Sequence, residues 1–160
     1  MLVLPVTVVA IVPAWIFRRY DVVAAWPRGP LAAIAVGLGV PVCLIGLALF
    51  IASLFHFVSE GRGTLAPWDP PRHLVVQGPY RYVRNPMIAG VIFMLAGIAL
   101  VLRSRPHALW ALAAIGINAI YIPLLEEPLL DHRFGEEYRQ YRRHVPRFVP
   151  RIRPWQAHRP

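Results

Sequence analysis

Two adjacent carboxylates, Glu126 and Glu127, and an upstream run "GPYRYVRNPM" from Gly78 to Met87 concentrate the reactive side chains of this chain. Paired acids suit a small set of tasks: gripping an ammonium or sulfonium, bridging a ribose diol, or neutralising arginines. The upstream run supplies Arg81 and Arg84, whose planar forks match a carboxylate or a phosphate. Glu126 and Glu127 close an apolar run of helical length, where the negative end of the helix dipole and their mutual repulsion both work against them. They persist there only beside cations. Arg81 or Arg84 in an interfacial ion-pair set is one answer, and a positively charged ligand is the other. Ionisable groups at a membrane interface are functional candidates by default.

The stretch "DHRFGEEYRQYRRHVPRFVPR" forms a third cluster. Phe134, Tyr138, Tyr141 and Val145 recur at i, i+4, i+7 and i+11, an apolar and aromatic helical stripe opposite Arg139, Arg142 and Arg143. Such a helix either lies on anionic lipid or turns its two tyrosine hydroxyls into a half-wet pocket. "VPRFVPR" must be extended, because each proline disfavours helix at the residue before it. His56, His132 and His144 are the available proton acceptors, although a lone histidine on an arginine-rich tail is more often a surface group. The sequence has one cysteine, Cys43, inside an apolar run, and no His-x-x-x-His, so neither a disulfide framework nor a metal pattern is present. It also lacks a Gly-x-Ser-x-Gly nucleophile, a P-loop and a dinucleotide fingerprint, so a cofactor would not be held in the Rossmann manner.

The elements that position these clusters are apolar. Of 160 residues 57% are hydrophobic, mean hydropathy is +0.50, and the net charge of +9 rests on seventeen arginines with no lysine. That composition predicts one domain, all α, in a bilayer. Four spans are expected, at about 2–17, 31–58, 87–102 and 107–125, with a cytoplasmic loop, an amphipathic C-terminal helix and a tail over 126–160. No basic region precedes the first apolar stretch, so a cleaved signal peptide is not expected. "RSRP", Arg103 to Pro106, admits only a tight turn, which makes the last two spans an antiparallel hairpin. Gly39 and Gly46 recur seven apart, as do Gly90 and Gly97, and small residues so spaced let helix backbones approach closely. Pro41 and Pro123 are expected to kink their helices.

Four spans place both termini and the middle loop on one side. That side carries twelve arginines (Arg62, Arg72, Arg81, Arg84 and the eight after Pro128) against five on the other, Arg18, Arg19, Arg28, Arg103 and Arg105. The positive-inside rule makes the terminal side cytoplasmic and the location a cell inner membrane. Orientation thereby absorbs much of the basic charge, and no nucleic-acid partner is expected. The loop before Gly78, with Trp68, reads as a structured segment at the interface.

"GPYRYVRNPMIAG", "EEPLL" and "FGEEYRQYRRHVPRFVPR", in that order, resemble the integral-membrane methyltransferase superfamily that includes isoprenylcysteine carboxyl methyltransferases and phospholipid N-methyltransferases. The resemblance covers about Gly63 to Arg153. It implies an S-adenosylmethionine-dependent enzyme that closes its tail over the cofactor at the cytoplasmic surface and admits a lipophilic substrate from the bilayer. It implies a cofactor site of Gln77, Gly78, Tyr80, Tyr82, Asn85, Pro86, Glu127, Tyr138, Tyr141 and Arg142, with Arg84 and Glu126 as the residues that carry the reaction. One glutamate would meet the cofactor's ammonium or ribose, the tyrosines its adenine or ribose, and Arg84 an anionic nucleophile. Two positions depart from the family pattern: its histidine is Asn85 here, and its tyrosine is Ile88. A proton-handling role for that histidine therefore does not carry over. Carboxyl O-methylation of a prenylated thiol compound leads, and N-methylation of an aminophospholipid is the alternative. A nicotinamide-dependent reductase of the sterol type and a non-enzymatic membrane scaffold are the further rivals.

Overall fold

The computed structural model describes residues 6–20, 29–61 and 73–156. The interfacial loop expected around Trp68, with Arg62 and Arg72, lies outside the described residues, as does Arg28. Among the described residues every regular element is helical. A π-helical stretch, Thr7–Ile11, runs into α1, Val12–Arg19; α2 spans Pro30–Gly61, α3 Pro86–Leu102, and α4 Arg105–Tyr121. A second π-helical stretch, Ile122–Glu126, joins α4 to α5, Glu127–His144. Two helical runs, Pro30–Gly61 and Arg105–His144, are long and apolar enough to cross a membrane, whereas Pro86–Leu102 is shorter. α2 continues through Pro41.

The chain divides into two compact units. One comprises residues 2–48 and 90–117. Within it α2 and α3 meet through their small residues. A Cβ on Gly46 would stand 2.7 Å from the Gly90 carbonyl oxygen, and one on Gly97 would stand 2.7 Å from Cys43 Cβ and the Gly39 carbonyl oxygen. Gly46 opposite Gly90 and Gly39 opposite Gly97 make the pair antiparallel, and the close approach that the seven-residue spacing predicts is present on both helices. Leu95, Ala111 and Ala114 form the apolar centre, with Val8, Val91 and Trp110 against it. The expected tight turn is present: Arg103 adopts a left-handed φ of +49° and α4 begins at Arg105.

Both π-helical stretches end one residue before an Xaa-Pro step, and the prolines explain them. A proline has no amide hydrogen and clashes with the carbonyl four residues back. Val12 and Glu127, the residues preceding Pro13 and Pro128, each donate five residues back instead, to Thr7 and Ile122. The wider turn passes the proline without breaking the helix. It leaves Val8 without an intrahelical donor, and the Trp110 indole N–H fills that vacancy at 3.0 Å. The amphipathic C-terminal helix expected within the tail over 126–160 is therefore continuous with the apolar helix before it. The interruption falls later, at Gly135, whose φ of +54° and ψ of −125° lie outside the helical region.

Candidate functional site

The second unit, residues 49–89 and 118–160 together with Met1, gathers the three clusters of reactive side chains. Its doorway starts at Gly78, with a left-handed φ of +54°, and a Cβ there would fall on the imidazole of His56. Glycine is thus required twice over, by backbone conformation and by space. The following 3₁₀ turn, Gly78–Arg81, buries Tyr80, whose carbonyl accepts from the Tyr141 hydroxyl at 2.7 Å. The extended tail then straps across this segment. Arg84 N–H donates to the Pro146 carbonyl at 2.9 Å, Arg151 N–H to Tyr82 at 3.0 Å and Trp155 N–H to Arg81 at 3.0 Å. Arg81 Nε returns a bond to the Trp155 carbonyl at 2.8 Å, and the Asn85 amide donates to the Arg147 carbonyl at 3.3 Å. Asn85 therefore fastens the tail.

The two glutamates part company. Glu127 is buried and accepts from Arg84 Nη1 at 2.9 Å, Arg147 Nε at 2.5 Å and Arg147 Nη2 at 2.8 Å. Its hydrogen bonds hold the Arg147 guanidinium above its ordinary range. Arg84 Nη1 also reaches the Tyr138 hydroxyl at 3.4 Å, while its Nε is buried without an acceptor among the described residues. Glu126, half-buried on the preceding turn, has no hydrogen bond or ion pair among the described residues. Its field, with that of Glu60, is felt at Tyr80. Burial first, then Glu126 and Glu60, push that phenol well above its ordinary range, so it stays a neutral donor.

Tyr138 and Tyr141 are buried with Val145 among Leu74, Val76, Leu130, Phe134 and Trp155, so the predicted stripe is a packed core and not a lipid-facing surface. Their rings are committed to neighbours: Tyr141 lies 5.6 Å from Trp155 and 6.4 Å from Tyr138, centroid to centroid. Arg142, Gln77 and Tyr82 are exposed, and Pro86 is buried as the first residue of α3. His132 is exposed, and His144 bonds the Gln140 carbonyl through Nδ1 at 2.8 Å and stacks on Trp155. Sequence reasoning missed Arg147 and Trp155. Both sit in an extended segment without periodicity, and alternation of arginine with proline was the one available signal.

A profile of the phospholipid methyltransferase family matches residues 34–137, which contain both glutamates, Arg84 and Asn85. The chain belongs to the phospholipid methyltransferase family. Two of its helical runs have the length and apolar composition needed to cross a membrane. The chain is also 41% identical over 76 residues to methanethiol S-methyltransferase 2 of Bradyrhizobium diazoefficiens, a match over 46% of this chain and 27% of that protein. The match thus spans about a quarter of that relative's length. No solved structure matches this member of the phospholipid methyltransferase family.

Proposed function

We propose that this protein transfers a methyl group from S-adenosylmethionine to a lipophilic acceptor at the inner leaflet of the cytoplasmic membrane, with both termini cytoplasmic. The observation that carries this reading is Glu126, whose carboxylate acts on Tyr80 and has no hydrogen bond or ion pair among the described residues, in a chain of methyltransferase family. The residues fit the cofactor's chemistry. Glu126 is a carboxylate with no ion-pair partner among the described residues, suited to an ammonium or a ribose diol. Arg84 Nε is a buried donor with no acceptor among the described residues, suited to a carboxylate. S-adenosylmethionine, when bound, supplies a methyl group already activated by positive sulfur.

The protein's share is then alignment and exclusion of water, and proximity of that kind contributes roughly 7–11 kcal/mol. Glu127 holds Arg84 and Arg147 in place, and the Arg84 fork is oriented by Tyr138. Tyr138 and Tyr141 act from behind, by packing the tail against the doorway. Gln77, Gly78, Tyr82, Asn85, Pro86 and Arg142 border the cofactor, and the arginine-rich tail attracts anionic lipid.

The acceptor enters from the bilayer. The family description names phospholipids, and the relative's name points to a thiol sulfur. A carboxylate acceptor would want a free guanidinium fork, but Arg84 Nη1 and Arg147 are both engaged by Glu127. A thiol or an amine is therefore preferred over a carboxyl group.

Incubation of the protein in membranes with S-adenosylmethionine carrying a deuterated methyl, followed by mass spectrometry of the extract, tests this. A labelled lipid or thioether is expected. Absence of label in every extract, together with absence of cofactor binding by the purified protein, sinks the reading.

A further inference from the structure

Near the C-terminal end of α2, His56 and Glu60 lie one helical turn apart, and His56 Nδ1 meets Glu60 Oε1 at 2.7 Å. A carboxylate cannot donate, so this bond holds the ring proton on Nδ1 and leaves Nε2 with its lone pair outward. An i,i+4 pair on an open helix surface contributes little more than a few tenths of a kcal/mol, and that plain role would explain the contact alone. Three further features do not belong to it. Nε2 has no hydrogen-bond partner among the described residues, and the His56 side chain is 29% exposed, so the lone pair is reachable. The ring is also oriented on two sides. Phe55 meets it edge-on at 5.7 Å, and its Cδ2–Nε2 edge rests where the Cβ of any residue but glycine at 78 would stand. Third, the doorway turn that begins at this glycine carries Tyr80, on which the carboxylates of both Glu60 and Glu126 act.

We infer that His56, oriented by Glu60, is the proton acceptor of the methyl transfer, and that the acceptor substrate is therefore one that arrives carrying its proton, a thiol or an alkylammonium. The inference rests on the methyltransferase reading above. The step balances as follows. The His56 Nε2 lone pair takes the proton from the nucleophile, whose freed pair forms the new bond to the methyl carbon. The methyl–sulfur bond of a sulfonium donor breaks with its pair returning to sulfur, leaving a neutral thioether. The imidazolium returns its proton to water through its exposed edge. His56 is catalytic in this scheme and Glu60 is a positioning residue. A carboxylate acceptor, already ionised, needs neither.

The test uses the full chain in lipid nanodiscs with three probes: octanethiol, phosphatidylethanolamine and an S-prenylated cysteine carboxylate. His56→Asn is expected to lower transfer to the thiol or the amine by roughly 10²–10⁴-fold, the usual contribution of a positioned base. Donor affinity, read by calorimetry, is expected to stay unchanged, and added imidazole to restore part of the rate. Glu60→Gln is expected to fall between wild type and His56→Asn. Nitrogen NMR of labelled histidine provides a readout independent of turnover: His56 is expected as the Nδ1–H tautomer, moving towards Nε2–H in Glu60→Gln. Full activity of His56→Asn, transfer to the carboxylate probe alone, or an Nε2–H tautomer in the wild type each overturns the inference while leaving the methyltransferase reading intact. A wild type that neither binds the donor nor labels any probe overturns both.

Discussion

Arg147 grips Glu127 with two parallel hydrogen bonds, Nε to Oε1 at 2.5 Å and Nη2 to Oε2 at 2.8 Å, while Arg84 takes a third on Oε1. A buried carboxylate so held is a structural anchor, whereas its neighbour Glu126 has no hydrogen bond or ion pair among the described residues. The adjacency that looks unfavourable in sequence is resolved by giving the two acids different work.

Glu127→Gln removes the negative charge from beneath two arginines, and Arg84 is only 10% exposed on its side chain. Breaking such a buried pair typically costs about 3–5 kcal/mol. Thermal unfolding in detergent should show a marked loss. Adding Arg84→Met should recover part of it, because the stranded cation is then gone. Additive losses in the double variant would contradict the ion-pair account.

Glu126→Gln should behave in the opposite way. No partner among the described residues depends on this carboxylate, so the melting temperature should hold or rise. S-adenosylmethionine affinity should fall by about 10–100-fold, the value of one charge-assisted hydrogen bond of roughly 1.5–3 kcal/mol. Calorimetric titration of both proteins checks this, and equal affinities would remove Glu126 from the site.

Gly97→Ala puts a methyl 2.7 Å from the backbone of Cys43 and the carbonyl of Gly39. Overpacking of this kind costs about 1–3 kcal/mol. Gly37→Ala and Gly116→Ala meet nothing within 4 Å and should be neutral or slightly stabilising. Melting curves of the three variants side by side should separate Gly97 from the other two.

Trp110→Phe keeps the ring and removes the indole N–H that satisfies the Val8 carbonyl. An unsatisfied buried acceptor costs about 1–3 kcal/mol. The loss should appear as a lowered unfolding midpoint, with donor affinity unaltered. A midpoint equal to wild type would mean that the proline-induced vacancy is filled in another way.

Much of the helical packing is legible in the residues themselves. The seven-residue glycine spacing predicts the faces of close approach on α2 and α3, and "RSRP" predicts the turn, because both rest on local sterics. The three chemical clusters are equally visible, and they do assemble. What the residues conceal is how a side chain chooses among partners. Phe134, Tyr138 and Tyr141 make the same stripe whether lipid or an extended tail covers them, and the tail lacks the periodicity that would announce it. Arg147 is one of seventeen arginines, and beyond the alternation with proline nothing in its neighbours marks it as the clamp on Glu127. Pro128 reads as a helix boundary, yet a π-helical turn carries the chain past it.

The strap from Pro146 to Trp155 leaves the ribosome after every segment it fastens. The doorway at Gly78 and the acid pair must therefore wait, inserted but unfastened, while translation continues. On the proposed function, a nascent chain acquires its assembled site only once the strap is laid down. A bulky fusion placed directly behind Trp155 should prolong the delay, and the same fusion set off on a flexible spacer should not.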